Sequence, residues 1–452
     1  MSLSICSCTV GPDFVKPELF QAMGWKNRHD VDASVQLPDT WWTEFKDERL
    51  ERLIARSVEA NPDLAAARAR VATARALVGL DRARMFPQLD LTGALNYGRR
   101  SESATTRNLP PGLDVDLDST LYRGGFDLAY DLDLWGANRR SLEASVADAA
   151  AQEDLLDMQR LGLAGEVARQ YFLFCGLDAQ KAVLEKTIQT RLETLALQQD
   201  KADAGLVDDL PVTYARTELE LARNDLADVE RQRGAAQHAL AVLCGVAPME
   251  GGKAAARMPR WSRGTAAGVL MRRPDVRAAE MSLRAANARI GVAQAAFYPN
   301  FTLGAAAGFE SLSSRDFLDW QNRVLSIGPQ VTLPLFRGGS LRSSMKAAIA
   351  RRDEALALYR NSLLVALREV EDAVVELNGL EKSRQSLRQA MTSARESHRI
   401  IGERHAKGLG SYLEVVDAER TVLRIELLMA QLDAQQRIAV VKFAMALGGG
   451  LL

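Results

Sequence analysis

Residues 88–98 alternate strictly, with Leu89, Leu91, Gly93, Leu95 and Tyr97 at odd positions and Gln88, Asp90, Thr92, Ala94, Asn96 and Gly98 at even ones. A period of two predicts a strand with one apolar and one polar face. A second run over 122–135 places Tyr122, Phe126, Leu128, Tyr130, Leu132 and Leu134 against Arg123, Gly125, Asp127, Ala129, Asp131 and Asp133. Two further runs follow much later. Phe301, Leu303, Ala305, Ala307 and Phe309 alternate with Asn300, Thr302, Gly304, Ala306 and Gly308, and Leu325, Ile327, Val331, Leu333 and Leu335 alternate with Ser326, Gly328, Gln330 and Thr332. Leu91, Leu128, Leu303 and Leu333 therefore belong to an apolar face, and Asp90, Asp127, Thr302 and Gln330 to a polar one.

Between these runs the period is helical. Asn61-Pro62-Asp63 starts a helix, with a capping Asn, Pro in the first turn and an acidic residue near the N-terminus. Trp42, Phe45, Leu50, Leu53 and Ile54 predict one short helix over 41–57. After each strand pair comes a very long helical tract, of sixty-odd residues, spanning roughly 100 Å at ~1.5 Å per residue. Apolar spacing of three and four through Leu356, Tyr359, Leu363, Leu367, Val370, Val374 and Leu377 predicts coiled-coil-like packing. The tracts break at Gly205 and at Gly408-Leu409-Gly410.

The pattern occurs twice. Pro62-Asp63, Ala66-Ala67, Ala74, Gly79, Pro87 and Leu91 recur at an offset of 212. Gly205-Leu206, Leu210, Val212 and Ala215 recur at an offset of 203 as Gly408-Leu409, Leu413, Val415 and Ala418. A repeat this long reads as a duplicated half-protein. It divides the chain into an N-terminal arm and short helix (1–60), a first repeat (61–244), an irregular linker (245–272), a second repeat (273–447) and a tail (448–452). The first repeat holds a helix, a hairpin at 86–135 and helices at 137–204 and 209–243. The second holds a helix, a hairpin at 298–336 and helices at 340–407 and 412–447. The nine-residue difference in offset belongs to the shorter second hairpin loop.

Composition narrows the function. The 57 basic and 58 acidic residues leave a net charge of −1, with no basic excess to attract nucleic acid. No apolar run reaches the ~18 residues of a transmembrane helix, but transmembrane strands leave a weaker trace. Cys175 and Cys244 fall in helical patterns as packing residues. Ile5-Cys6-Ser7-Cys8-Thr9 reads as the end of a lipoprotein signal, with Cys8 acylatable. No metal motif, phosphate loop or nucleophile set is present, so no enzyme, cofactor or metal is expected. Four amphipathic strands cannot close in lipid, where open edges are forbidden. Three chains giving twelve strands form the smallest such ring around a water-filled lumen. Tyr97, Tyr122, Phe309 and Trp320 would form an aromatic girdle at one end, and Phe86, Trp135, Phe297, Tyr298 and Phe336 one at the other. Leu413 and Asp417 share a helix face, and Arg420 lies three beyond Asp417. By spacing alone this reads as a solvated face with an i,i+3 ion pair. A coiled-coil scaffold protein is the rival from another class, and it leaves the four strands unexplained.

These residues carry a resemblance. Cys8-Thr9-Val10-Gly11-Pro12-Asp13-Phe14 with Pro17, the junctions Phe86-Pro87 and Tyr298-Pro299, and the turns Leu134-Trp135-Gly136 and Pro334-Leu335-Phe336-Arg337-Gly338-Gly339 all contribute to it. So do Gly205-Leu206, Gly408-Leu409-Gly410-Ser411-Tyr412-Leu413 with Asp417-Ala418-Glu419-Arg420, and Ala446-Leu447-Gly448-Gly449-Gly450. In this order the chain resembles a TolC-type outer-membrane factor, in the branch with lipoprotein partners of resistance-nodulation-division pumps. The resemblance implies a membrane α+β fold: a homotrimeric twelve-stranded β-barrel continued by an α-helical periplasmic tunnel with an equatorial belt. It implies a passive efflux duct in the outer membrane of a Gram-negative bacterium, joined by a periplasmic adaptor to an inner-membrane pump. A type I protein-secretion duct is the alternative within the family. Leu413, Asp417 and Arg420 would form the periplasmic gate. Gly205, Leu206, Leu210, Gly408, Leu409 and Leu413 would form the adaptor-docking tips. Asp90, Asp127, Thr302 and Gln330 would face the lumen, and Cys8 would anchor the chain in outer-membrane lipid.

Overall fold

A computed structural model describes residues 9–17, 40–101, 116–245, 258–259 and 272–449. In chain order it contains α1 (Glu48–Ala60), α2 (Pro62–Ala83), β1 (Gln88–Arg99), β2 (Asp118–Asp131), α3 (Ala137–Asp203) and α4 (Leu210–Leu243). Then come α5 (Pro274–Ala295), β3 (Asn300–Ser311), β4 (Arg323–Thr332), α6 (Ser340–Ala406) and α7 (Tyr412–Ala446). The two copies match in length: α2 and α5 have 22 residues each, and α3 and α6 have 67 each.

The chain divides into two compact units. The first comprises Met1–Glu18, Val71–Gln152 and Ala279–Tyr359. It contains one antiparallel sheet in the order β1-β2-β3-β4. β2 runs from 118 to 131, about four residues earlier than the alternation over 122–135 predicts. Asp133 has left the strand with φ 41°. Its carboxylate accepts from the backbone N–H groups of Asn138 and Arg139 at 3.0 and 3.1 Å, which caps the start of α3. The alternation continued through Asp133 because a capping Asp and a polar-face Asp look alike in a period of two.

Small residues bring α3 and α5 together. Ala144, Ala147, Ala285 and Ala288 form one buried cluster. On the same helix pair lies the arm. Val10 donates its N–H to Trp135 O at 3.0 Å, Arg140 reaches Val10 O and Asp13, and Asn287 donates to Pro12 O at 2.8 Å. Gly11 has φ 101°, and a Cβ there would collide with the Gly291 backbone. Only glycine suits both the conformation and the close approach.

The second unit comprises Leu19–Arg70, Glu153–Ala278 and Arg360–Leu452. The helix predicted over 41–57 is two pieces, a 3-10 turn at Trp41–Phe45 and then α1. Lys46 breaks it at φ 53°, and Asp47 restarts it by accepting from the N–H groups of Arg49 and Leu50. Tyr171 donates to the other Asp47 oxygen at 2.8 Å. That bond ties α1 to α3 inside a core of Trp41, Phe45, Leu50, Ile54 and Phe172. Asn61 caps α2 through Leu64 N–H. Along α6, Tyr359, Leu363, Val370, Val374 and Leu377 of the predicted stripe are buried, whereas Leu356 and Leu367 are only half-buried. Ion pairs fasten each helix pair: Lys181–Glu230 and Arg233–Asp178 link α3 to α4, and Lys442–Glu376 and Arg395–Glu426 link α6 to α7. No described helix is long and apolar enough to cross a membrane.

Candidate functional site

The strand register decides the faces. Directly opposed residues of an antiparallel pair share a face. Asp90 opposes Asp127, and Asp127 opposes Ala306. Thr302 opposes both Asp131 and Gln330. Asp90, Asp127, Thr302 and Gln330 therefore lie on one face of the sheet. Thr92 donates to Asp127 at 2.6 Å there, and Arg123 pairs with Asp127 at 3.8 Å. Leu91 opposes Phe126, Leu128 opposes Leu89 and Ala305, and Leu303 opposes Tyr130, all on the other face. Leu333 lies one residue beyond β4, so the ladder does not fix its direction.

The apolar face is bare. Leu91 is 74% exposed, Leu325 80% and Ile327 73%. Burying such a face is worth about 1.5–3 kcal/mol per large side chain. The outer strands, β1 and β4, each keep one edge without a partner among the described residues. Trp135 stacks on Tyr298 at 4.7 Å and donates to Pro299 O at 2.7 Å, an aromatic pair at the strand–helix junctions.

In the second unit the two interhelix turns have the same construction. Gly205 has φ 70° and Gly408 has φ 73°. Gly205 N–H donates to Ala202 O while Leu206 N–H donates to Lys201 O; Gly408 and Leu409 repeat this with His405 and Arg404. Both are Schellman caps, which use the otherwise unpaired carbonyls of a helix end. Restarts differ. Asp208 accepts from Leu210 N–H ahead of Pro211, whereas Ser411 accepts from Glu414 N–H. Leu206, Leu210 and Leu409 are exposed at 75%, 54% and 67%. A Cβ on either Gly205 or Gly408 would meet nothing within 4 Å.

Leu413, Asp417 and Arg420 occupy the first turns of α7. The Asp417 side chain is 66% exposed. Arg420 is 3.4 Å from Asp417, but its shorter bonds go elsewhere, to Glu218 of α4 through Nε at 2.8 Å and through Nη2. Glu218 also accepts from Arg191 of α3. Its side chain is 5% exposed and that of Arg191 8%. Burial pushes the Glu218 carboxyl up, and the hydrogen bonds from Arg420 and Arg191 outweigh it, so the group is held below its ordinary range. Spacing alone missed Glu218. The available signal was an acid inside the stripe Ala215, Leu219 and Ala222, all buried. Cys8 lies outside the described residues, and among the described residues no His/Cys/Asp/Glu cluster suits a metal.

Comparison with known proteins bears on this arrangement. A family model described as outer membrane efflux protein matches residues 53–246 and 267–449. The chain is 33% identical over 413 residues to the solvent efflux pump outer membrane protein SrpC of Pseudomonas putida, covering 90% of this chain and 86% of that one. It is 29% identical over 458 residues to outer membrane protein OprJ of Pseudomonas aeruginosa, covering 100% and 94%. It is similar to the solved outer-membrane channel OprN with a TM-score of 0.88 and 29% identity, covering 98% of this chain and 100% of that one. The fold is that of trimeric outer-membrane channels with a β-barrel and a helical tunnel. With both repeats inside the match, the chain belongs to the outer membrane efflux protein family.

Proposed function

We propose that this outer-membrane channel is the passive exit duct of a tripartite assembly, loaded by an inner-membrane pump through a periplasmic adaptor. The observation that carries the reading is the sheet: one bare apolar face, one polar face and two open edges. In lipid an open edge is untenable, so each β1 pairs with β4 of a neighbouring chain. The apolar face then meets outer-membrane lipid, and Asp90, Asp127, Thr302 and Gln330 line the water path. The relatives' names mention solvent efflux, which favours small organic cargo over secreted protein.

Closure falls to the turns of the second unit. Leu413 excludes water, Asp417 brings three carboxylates toward the symmetry axis, and Arg420 holds α7 to α4 through Glu218. The exposed leucines 206, 210 and 409, with Gly205 and Gly408, form the surface on which adaptor hairpins dock. Cys8 supplies a lipid anchor next to an arm that is fastened at Thr9, whose side chain lies close to Gly136. The test is reconstitution. The purified trimer should conduct ions in planar bilayers, and with its adaptor and pump it should restore solvent tolerance to an efflux-deficient host. A trimer that never conducts, even with its tip opened by mutation, sinks the reading.

A further inference from the structure

The first unit carries a recess of about 510 Å³ that none of the roles above uses. Four helices line it: the end of α2, the start of α3, the second half of α5 and the start of α6. Its floor is apolar, from Ala144, Ala286, Val292, Ala293 and Ala348. Its rim carries Arg84, Arg289 and Arg351. Two of these have acid partners, Arg84 with Asp81 at 3.1 Å and Arg289 with Asp148. Asp81 is further occupied by the hydroxyl of Ser145. Arg351 has no carboxylate partner among the described residues, and Ser344 lines the recess two turns before it on α6. The rim thus has three guanidinium groups against two carboxylates.

On α5 the recess and the arm take opposite sides. The arm residues Val10 to Asp13 bond to Arg140 and pack on Gly291. On α5, Gly291 points away from Ala286, Arg289 and Ala293, since residues two or five apart are roughly 160° or 140° apart around a helix. The recess is shared by the four helices that adjoin the strands, α2, α3, α5 and α6. The duct reading turns the side opposite the arm toward the axis.

We infer that this recess is a transit-binding subsite for amphipathic organic anions, with a carboxylate or sulfonate head on Arg351 and an apolar body on the alanine floor. The volume is that of a small-molecule pocket, and such pockets are apolar with few directing polar groups. A guanidinium pairs such heads through two parallel N–H donors. The inference rests on the duct reading, because only in a duct does a face turned toward the axis meet cargo. The rim arginines are exposed to solvent, so the site retains cargo weakly and releases it.

The probe is naphthalene-2-sulfonate, with 2-naphthalenemethanol as its neutral counterpart. Both are titrated by saturation-transfer NMR onto the trimer in phosphatidylcholine nanodiscs, with empty nanodiscs subtracted. The wild-type trimer should prefer the sulfonate by about tenfold, and Arg351→Ser should remove that preference while leaving the alcohol unchanged. Arg351→Lys should restore part of it. Sulfonate affinity unaltered in Arg351→Ser, or equal binding of both probes by the wild type, overturns the inference. Conductance of the same preparation separates the two claims. A conducting trimer without the preference loses only the subsite, and a trimer that never conducts loses the duct.

Discussion

Replacing Arg420 by Ala tests the link between α7 and α4 most directly. The substitution removes two donors from Glu218, Nε at 2.8 Å and Nη2. A hydrogen bond to a charged group contributes about 1.5–3 kcal/mol when sheltered. Arg420 is itself 47% exposed, so screening by solvent trims the contribution to roughly 1–1.5 kcal/mol. Arg191 stays on Glu218 after the change, so no buried charge is orphaned and the fold survives. At ~1.4 kcal/mol per decade, the open population of one tip rises about fivefold to tenfold. If three tips must part together, the channel's open population rises about 10²–10³-fold. Single-channel recording in planar bilayers reads this as a higher open probability from a low resting level. An intact Arg420→Ala trimer whose open probability equals that of the wild type refutes the lock.

Acid should mimic that change. Glu218 is held below its ordinary range, so its ionised form supports closure above the usual Glu value of about 4.3, and that support is lost as pH falls through the depressed value. Conductance should therefore stay flat at neutral pH and rise only once the pH has fallen below the ordinary Glu range, and a Glu218→Gln trimer, checked for assembly because Arg191 loses its carboxylate, should have raised conductance at neutral pH and lose that component; an identical pH profile in both would place the acid response elsewhere. Leu413→Ser combined with Asp417→Ala should hydrate the constriction and raise conductance, and no change in an intact trimer moves the gate to another segment. Single cysteines at 90, 127, 302 and 330 should react with a water-soluble thiol reagent, and those at 91, 128 and 303 should not; the reverse pattern means a register slip of one. A Cβ at Gly205 or Gly408 meets no neighbouring atom, so the main cost of Gly205→Val and Gly408→Val is the left-handed backbone, about 1–2 kcal/mol. Trimers should therefore assemble while efflux fails, and failed assembly would make these glycines folding devices instead.

The sheet faces were legible because a period of two needs no knowledge of neighbours. Leu89 through Tyr97 declare their side of the strand by position alone, and the ladder of β1 with β2 keeps that assignment. The interhelix turns were legible for a similar reason, since a glycine after a long helical run satisfies a local steric demand. What escaped was tertiary. Glu218 reads as an ordinary helical acid until α3 and α7 bring two arginines onto it. Asp133 reads as the next polar residue of a strand until the helix after it takes its carboxylate. Lys46 carries no breaker signal at all, and its left-handed backbone follows from the tight turn between Phe45 and the cap at Asp47. The recess beside Arg351 is the extreme case, because each of four helices gives it a few residues and none forms a motif.

The open edges of β1 and β4 have a genetic consequence. A chain that completes its sheet only with copies of itself shares its faults with its neighbours. In a cell making equal amounts of wild-type chain and a tip-blocked variant that still pairs, random mixing leaves only about one trimer in eight free of defective subunits. Loss-of-function alleles that spare the strands should therefore be dominant. Alleles that destroy the edges should be recessive, because such chains never enter the ring.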